Sequence, residues 1–108
     1  MVRIMVVDDH EVVRFGLKSL LTRHPGWEVV AETGTVTGAI EKAAEHNPDI
    51  VVMDIRLSDG SGIDACREIT QRNPQTKVIV LTSFAEDDLL FNAISAGASG
   101  YVLKQVGN

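Results

Sequence analysis

Apolar residues in this chain fall into two alternating kinds of segment. Short β-branched runs recur at Val2 to Val7, Glu28 to Ala31, Ile50 to Met53, Val78 to Leu81 and Tyr101 to Leu103. They are continuous in apolarity rather than alternating, the pattern of strands buried on both faces. Between them the apolar positions take helical spacing: Val12, Val13, Leu17, Leu20 and Leu21, then Ala39, Ile40, Ala43 and Ala44. Ile63, Cys66 and Ile69 follow, and then Leu89, Leu90, Ala93 and Ile94. Breakers separate the two kinds: His24-Pro25-Gly26, Asn47-Pro48, Asn73-Pro74 and Gly97. Strand and helix alternating with crossovers this short predict an α/β fold, a doubly wound parallel sheet with helices on both faces. Five strands make the flavodoxin-like order 2-1-3-4-5 the expected topology. Ligands then bind beyond the carboxyl ends of the strands, beside the switch between strands 1 and 3.

Length and charge narrow this picture. The 108 residues suffice for one domain, so the expected organisation is a single unit over 1–108. A net charge of -5 disfavours direct contact with nucleic acid or anionic lipid. Cys66 is the only cysteine, so no internal disulfide forms, and no apolar run has the length of a membrane span. A cytoplasmic location is the expectation. After the fifth strand only Lys104-Gln105-Val106-Gly107-Asn108 remain, so a final helix is expected to be missing or truncated.

The chemistry sits at the strand ends. Asp8 and Asp9 close strand 1, and Asp54 closes strand 3 in "IVVMDIRLSDGSG". Neighbouring strands would bring three carboxylates together, an arrangement that is costly unless a cation neutralises them. Hard oxygen ligands with no histidine or thiolate partner in the set favour Mg²⁺, which holds one or two carboxylates and keeps waters for a phosphate to replace. Thr82 at the end of strand 4 and Lys104 at the end of strand 5 add a hydroxyl and a cation to the same edge. Together these groups suit phosphoryl transfer to Asp54, where positioning and charge neutralisation supply most of the catalysis. Each feature alone has a plainer reading, as turn, helix cap or solvated terminus; the constellation is what points to chemistry.

These residues resemble the receiver domain of bacterial two-component response regulators: Asp8-Asp9, Asp54 with Gly62 downstream, Thr82-Ser83, and the lysine of "GASGYVLK". "VDDHEVVRFGLKSLL" and "LTSFAEDDLLFNAISAGASGYVLK" look most like the LuxR-type subfamily, whose members carry a helix-turn-helix DNA-binding domain after the receiver. The resemblance implies that Asp54 accepts phosphate from a sensor histidine kinase. It implies that Asp9 holds Mg²⁺ directly and Asp8 largely through water, with the backbone carbonyl of Arg56 as a further ligand. Thr82 and Lys104 would each meet a phosphoryl oxygen, and Ser83 would keep the entrance small. Tyr101 matches the aromatic that turns inward when Thr82 moves. Such a domain is a signalling switch controlling transcription, not a turnover enzyme, although its site assists its own phosphorylation and dephosphorylation. It would meet DNA only through a further C-terminal domain, avoid membranes, and could form a homodimer through apolar surface left open by the missing helix.

Two positions depart from the family pattern. Ser58 stands where receivers commonly have proline after the acceptor, which implies a less rigid loop after strand 3, and Gln105 stands where many have proline after the lysine, a bond that is cis in the family and that before a non-proline residue costs about 2.5 to 4 kcal/mol. Two other classes remain in play: a phosphatase working through an aspartyl phosphate, which would need a general acid and a capping insertion, and a receiver-like module that binds partners without phosphate. His10 follows the acidic pair and has two readings, a modulator of the site or, more simply, a polar residue opening a helix; Cys66 is read as a core residue. "HEVVR" lacks the second histidine of a zinc-protease motif, and "GSGIDA" does not follow the first strand as a dinucleotide loop must. "DIRLSDGSGIDA" puts Arg56 where a calcium loop needs an oxygen ligand.

Overall fold

The structure, a computed structural model, describes residues 1–82 and 97–103. In chain order the elements are β1 (Val2–Val7), α1 (Glu11–Leu21), β2 (Trp27–Thr33), α2 (Val36–His46), β3 (Ile50–Met53), β4 (Arg56–Leu57), β5 (Gly60–Ser61), α3 (Gly62–Arg72), β6 (Lys77–Thr82) and β7 (Gly100–Leu103). The long strands form one sheet in the order β2-β1-β3-β6-β7, every pair parallel. This is the flavodoxin-like order expected from the pattern, with β6 and β7 as fourth and fifth strands. The helix expected around Leu89 to Ile94, and the chain after Leu103 where the final helix was expected to be missing, lie outside the described residues.

Burial follows from the strand composition. Ile4, Met5, Val6 and Val7 are all buried, as the continuous apolarity of β1 requires at the centre of a sheet covered on both faces. Met5 and Val7 of β1, Val51 and Met53 of β3, and Val78 and Val80 of β6 share one face. Against it pack Ala39 and Ala43 of α2 and Ile63, Cys66 and Ile69 of α3. Cys66 is a core residue, and burial pushes its thiol up to about 11. Helix α1 lies against β1 and β2 on the other side with none of its residues buried; Val12, Phe15 and Leu20 are exposed.

The breakers act where expected. Asn47 closes α2 in the left-handed conformation at φ 47°, and its N–H donates to the Ala43 carbonyl at 2.9 Å. The side chain of Asn73, which caps α3, donates to Asn47 Oδ1 at 2.8 Å, joining the two Asn-Pro turns at the amino end of the sheet. Trp27 opens β2 with its ring stacked on His24 at a centroid distance of 4.0 Å.

One element departs from the expectation. The stretch after Asp54, read as a plain loop, forms the small antiparallel hairpin β4–β5. Its strands are too short, with only Leu57 buried, for any periodicity to show. The Asp59-Gly60 pair at the turn was the available signal.

Candidate functional site

Asp8 and Asp54 are the first residues past the ends of two neighbouring strands. The Asp54 N–H donates to the Val7 carbonyl at 2.9 Å, extending the β1–β3 ladder one step beyond its last pair, Val7 with Met53. The Asp8 N–H donates to the Thr33 carbonyl at 3.0 Å and does the same toward β2. Backbone bonding therefore sets the two acids side by side. Both are buried, at 1% and 7% relative exposure, whereas the Asp9 side chain is 29% exposed and faces the opening. Asp54 Oδ1 accepts from the Ile55 N–H at 2.8 Å, and Asp8 Oδ1 accepts from the His10 N–H at 2.9 Å.

His10 belongs to this cluster, the site reading rather than the simpler helix-opening one. It does precede α1, but its side chain makes no cap; Nδ1 instead lies 3.1 Å from Asp8 Oδ1 and 3.0 Å from Asp9 Oδ1. Each of Asp8, Asp9, His10 and Asp54 offers a ligand atom within 4.8 Å of the others. Three carboxylates and an imidazole at this separation form a pocket that can hold a metal ion.

The remaining predicted site residues fall as follows. Arg56 opens β4 two residues beyond Asp54, exposed and paired in the hairpin with Ser61. Thr82 ends β6, next to β3 in the sheet, and its backbone pairs with Leu103; Tyr101 pairs with Val80. The side chains of Thr82 and Tyr101, and the whole of Ser83, Lys104 and Gln105, lie outside the described residues.

Two contacts fix the loop after Asp54. Gly62 N–H donates to the Ile55 carbonyl at 2.5 Å. Asp59, at the hairpin turn, caps α2 from a distance: Oδ1 accepts from Val36 N–H at 2.6 Å, and Oδ2 accepts from the Thr37 N–H and hydroxyl, each at 3.2 Å. The Val36 amide holds the Asp59 carboxyl below its ordinary range. Ser58, where receivers commonly carry proline, places its hydroxyl 3.4 Å from the Gly34 carbonyl.

Beside the cluster, Glu32 of β2 accepts from Lys18 and, at 3.0 Å, from Arg14 Nε, both on α1, while Lys42 of α2 donates to the Glu32 backbone carbonyl. The Lys18 hydrogen bond, with Arg14 beside it, holds the Glu32 carboxyl below its ordinary 4.5. A carboxylate depressed in the folded state stabilises above its unfolded value and loses that contribution as pH falls through the folded one. Glu32→Gln should therefore cost roughly 0.5 kcal/mol at pH 7, solvent screening allowed for, and nothing at a pH well below 4. Urea unfolding of both proteins at the two pH values checks this.

A doubly wound parallel sheet with a metal-competent acidic pocket at the carboxyl ends of its central strands defines a flavodoxin-like domain with its site at the topological switch point. Comparison with known proteins names the family: residues 4–108 match the response regulator receiver domain, and the chain belongs to that family. It is 46% identical over 106 residues to the DNA-binding transcriptional activator DevR/DosR of Mycobacterium tuberculosis, an alignment covering 98% of this chain and 49% of that protein. To the response regulator VraR of Staphylococcus epidermidis it is 42% identical over 103 residues, 95% of this chain and 49% of the relative. The chain thus spans about half the length of these relatives. Among solved structures, a LuxR-family response regulator from Aurantimonas superposes with a TM-score of 0.91 at 43% identity, covering 95% of this chain and 74% of that one. The NarL receiver domain of M. tuberculosis superposes equally well at 27% identity, covering 98% and 86%. The protein is a receiver of the LuxR type, and receivers are signalling switches rather than enzymes in the ordinary sense. Among the described residues no helix is long and apolar enough to cross a membrane.

Proposed function

We propose that this domain is switched by phosphorylation of Asp54 and that Asp8, Asp9 and Asp54 hold the Mg²⁺ the reaction requires. The observation that carries the reading is the convergence of these carboxylates at the ends of adjacent strands, two of them buried. Three of the four donors fit the ion, being hard carboxylate oxygens in a pocket with one open side where Asp9 is partly exposed; the fourth, the His10 imidazole, is a donor Mg²⁺ does not favour and lies against Asp8 and Asp9. When bound, Mg²⁺ neutralises the acids and the phosphoryl oxygens. Asp54 supplies the nucleophile: a carboxylate oxygen bonds to phosphorus as the bond from phosphorus to the kinase histidine nitrogen breaks. Its other contact, the Ile55 amide, orients the carboxyl group within the cluster.

In this reading the Arg56 carbonyl is a further metal ligand, Thr82 and Lys104 receive phosphoryl oxygens, Ser83 lines the entrance and Tyr101 reports the change at the surface. The partner that phosphorylates the domain is a sensor histidine kinase. The output is control of a C-terminal DNA-binding domain in the full-length protein, as the DevR/DosR relative is a DNA-binding transcriptional activator. The site assists its own phosphorylation and dephosphorylation, and the setting is the bacterial cytoplasm.

Intact-protein mass after incubation with Mg²⁺ and a small phosphodonor tests this. A gain of one phosphoryl group that requires Mg²⁺ and disappears in Asp54→Asn is expected. No gain, here or in a longer chain that continues past Asn108, would leave a receiver that binds partners without phosphate.

A further inference from the structure

The bend that carries Asp8 and Asp9 leaves the sheet as soon as β1 ends, and its geometry depends on a side chain from the next helix. Arg14, in the first turn of α1, donates through Nη1 to the Asp8 carbonyl at 2.6 Å and through Nε to Glu32 Oε1 at 3.0 Å. Its side chain is only 19% exposed. Gly34, just past β2, leaves room for it: a Cβ there would lie 3.1 Å from Arg14 Nη1, 3.2 Å from Asp9 Cα and 3.3 Å from the Asp8 carbonyl oxygen. One guanidinium thus joins the acidic bend, the start of α1 and the end of β2. A planar fork makes both bonds at once, which the single ammonium of a lysine cannot reproduce. Its charge is met by Glu32, on the β2 side of the bend, so the cation is held where it grips backbone.

We propose that Arg14 is a positioning residue for the metal-binding cluster, fixing the backbone of Asp8 so that the Asp9 carboxylate stays aimed at the ion, with Glu32 preventing the guanidinium from entering the pocket as a rival cation. The proposal rests on the reading of Asp8, Asp9 and Asp54 as a Mg²⁺ site. Lys18 provides the internal control, because it bonds the same Glu32 and no part of the acidic bend is among its hydrogen-bond partners.

Calorimetric titration of the chain with Mg²⁺, alongside urea unfolding in its absence, tests this. Arg14→Ala is expected to weaken Mg²⁺ binding about tenfold, within the span typical of groups that orient metal ligands. Arg14→Lys should recover little of it, and Lys18→Ala should stay within about twofold while still lowering stability. If Arg14→Ala does not fold, the comparison of Arg14→Lys with Lys18→Ala carries the test. Unchanged affinity in the Arg14 variants, or an equal loss in Lys18→Ala, would overturn the proposal and leave the metal site standing. Asp9→Asn separates the two levels: if it leaves Mg²⁺ affinity unaltered, the cluster is not the binding site and the role of Arg14 falls with it.

Discussion

Gly62→Ala should destabilise the domain by about 3 kcal/mol and abolish phosphoryl gain at Asp54. A Cβ built on Gly62 would lie 2.0 Å from the carbonyl oxygen of Asp54, 3.0 Å from its carbonyl carbon and 3.1 Å from Ile55 Cα. All three are backbone atoms of the segment that presents the acid, so no flexible side chain can absorb the overlap. Gly62 begins α3, where alanine would ordinarily be favoured by up to ~1 kcal/mol; the collision outweighs that preference. Relief requires α3 and the end of β3 to part, breaking the bond from the Gly62 amide to the Ile55 carbonyl and rotating the Asp54 carboxylate away from Asp8 and Asp9. Gly16 is the comparison. It lies in α1 with nothing within 4 Å of a built Cβ, so Gly16→Ala should stabilise by roughly 0.5 to 1 kcal/mol. Urea unfolding of both variants decides it, and a Gly62→Ala protein as stable as the parent would contradict the packing described.

Asp8→Asn is expected to have opposite effects on stability and function. At an effective dielectric constant of ~20, two carboxylates about 5 Å apart repel by roughly 3 kcal/mol. Asparagine keeps an oxygen able to accept from the His10 amide while removing one charge. Without metal the variant should therefore unfold about 1 to 2 kcal/mol harder than the parent. With Mg²⁺ the order should reverse, because a ligand stabilises only the state that binds it and the variant binds weakly. Thermal unfolding with chelator and with millimolar Mg²⁺ tests both signs. A variant less stable than the parent in chelator would show that the cluster is not under charge repulsion.

The sheet was legible because its central strands are continuously apolar, with β1 buried on both faces and β3 buried on one and partly covered on the other. Val2–Val7 and Ile50–Met53 coincide with the predicted runs, since continuous β-branched apolarity has few other uses in a chain with this many breakers. Strand β2 is longer than expected, Trp27–Thr33 rather than Glu28–Ala31, because an edge strand needs no buried residues to pair and its ends are polar. The three acids were legible from their places at strand ends. What escaped was contact made across the sequence. For His10, adjacency in "DDH" left both readings open, and only the fold turns its ring back onto two carboxylates. Asp59 drew no role from the sequence, since its bonds to the start of α2 exist only once the fold sets that helix beside it. Arg14 drew no role either, and Gly34 reveals the space beside it only in three dimensions.

The hairpin after Asp54 has a consequence for how this region can vary. Its beginning is fixed by the acid in the ladder with β1, its middle by Asp59 on α2, and its end by Gly62 against the chain at Ile55. Anchored at three points, the stretch behaves as a gauge of set length. A change of side chain at Ser58 alters one bond at the rim, whereas adding or deleting a residue would set the anchors against one another, so that α2 and Asp54 could not both stay in place.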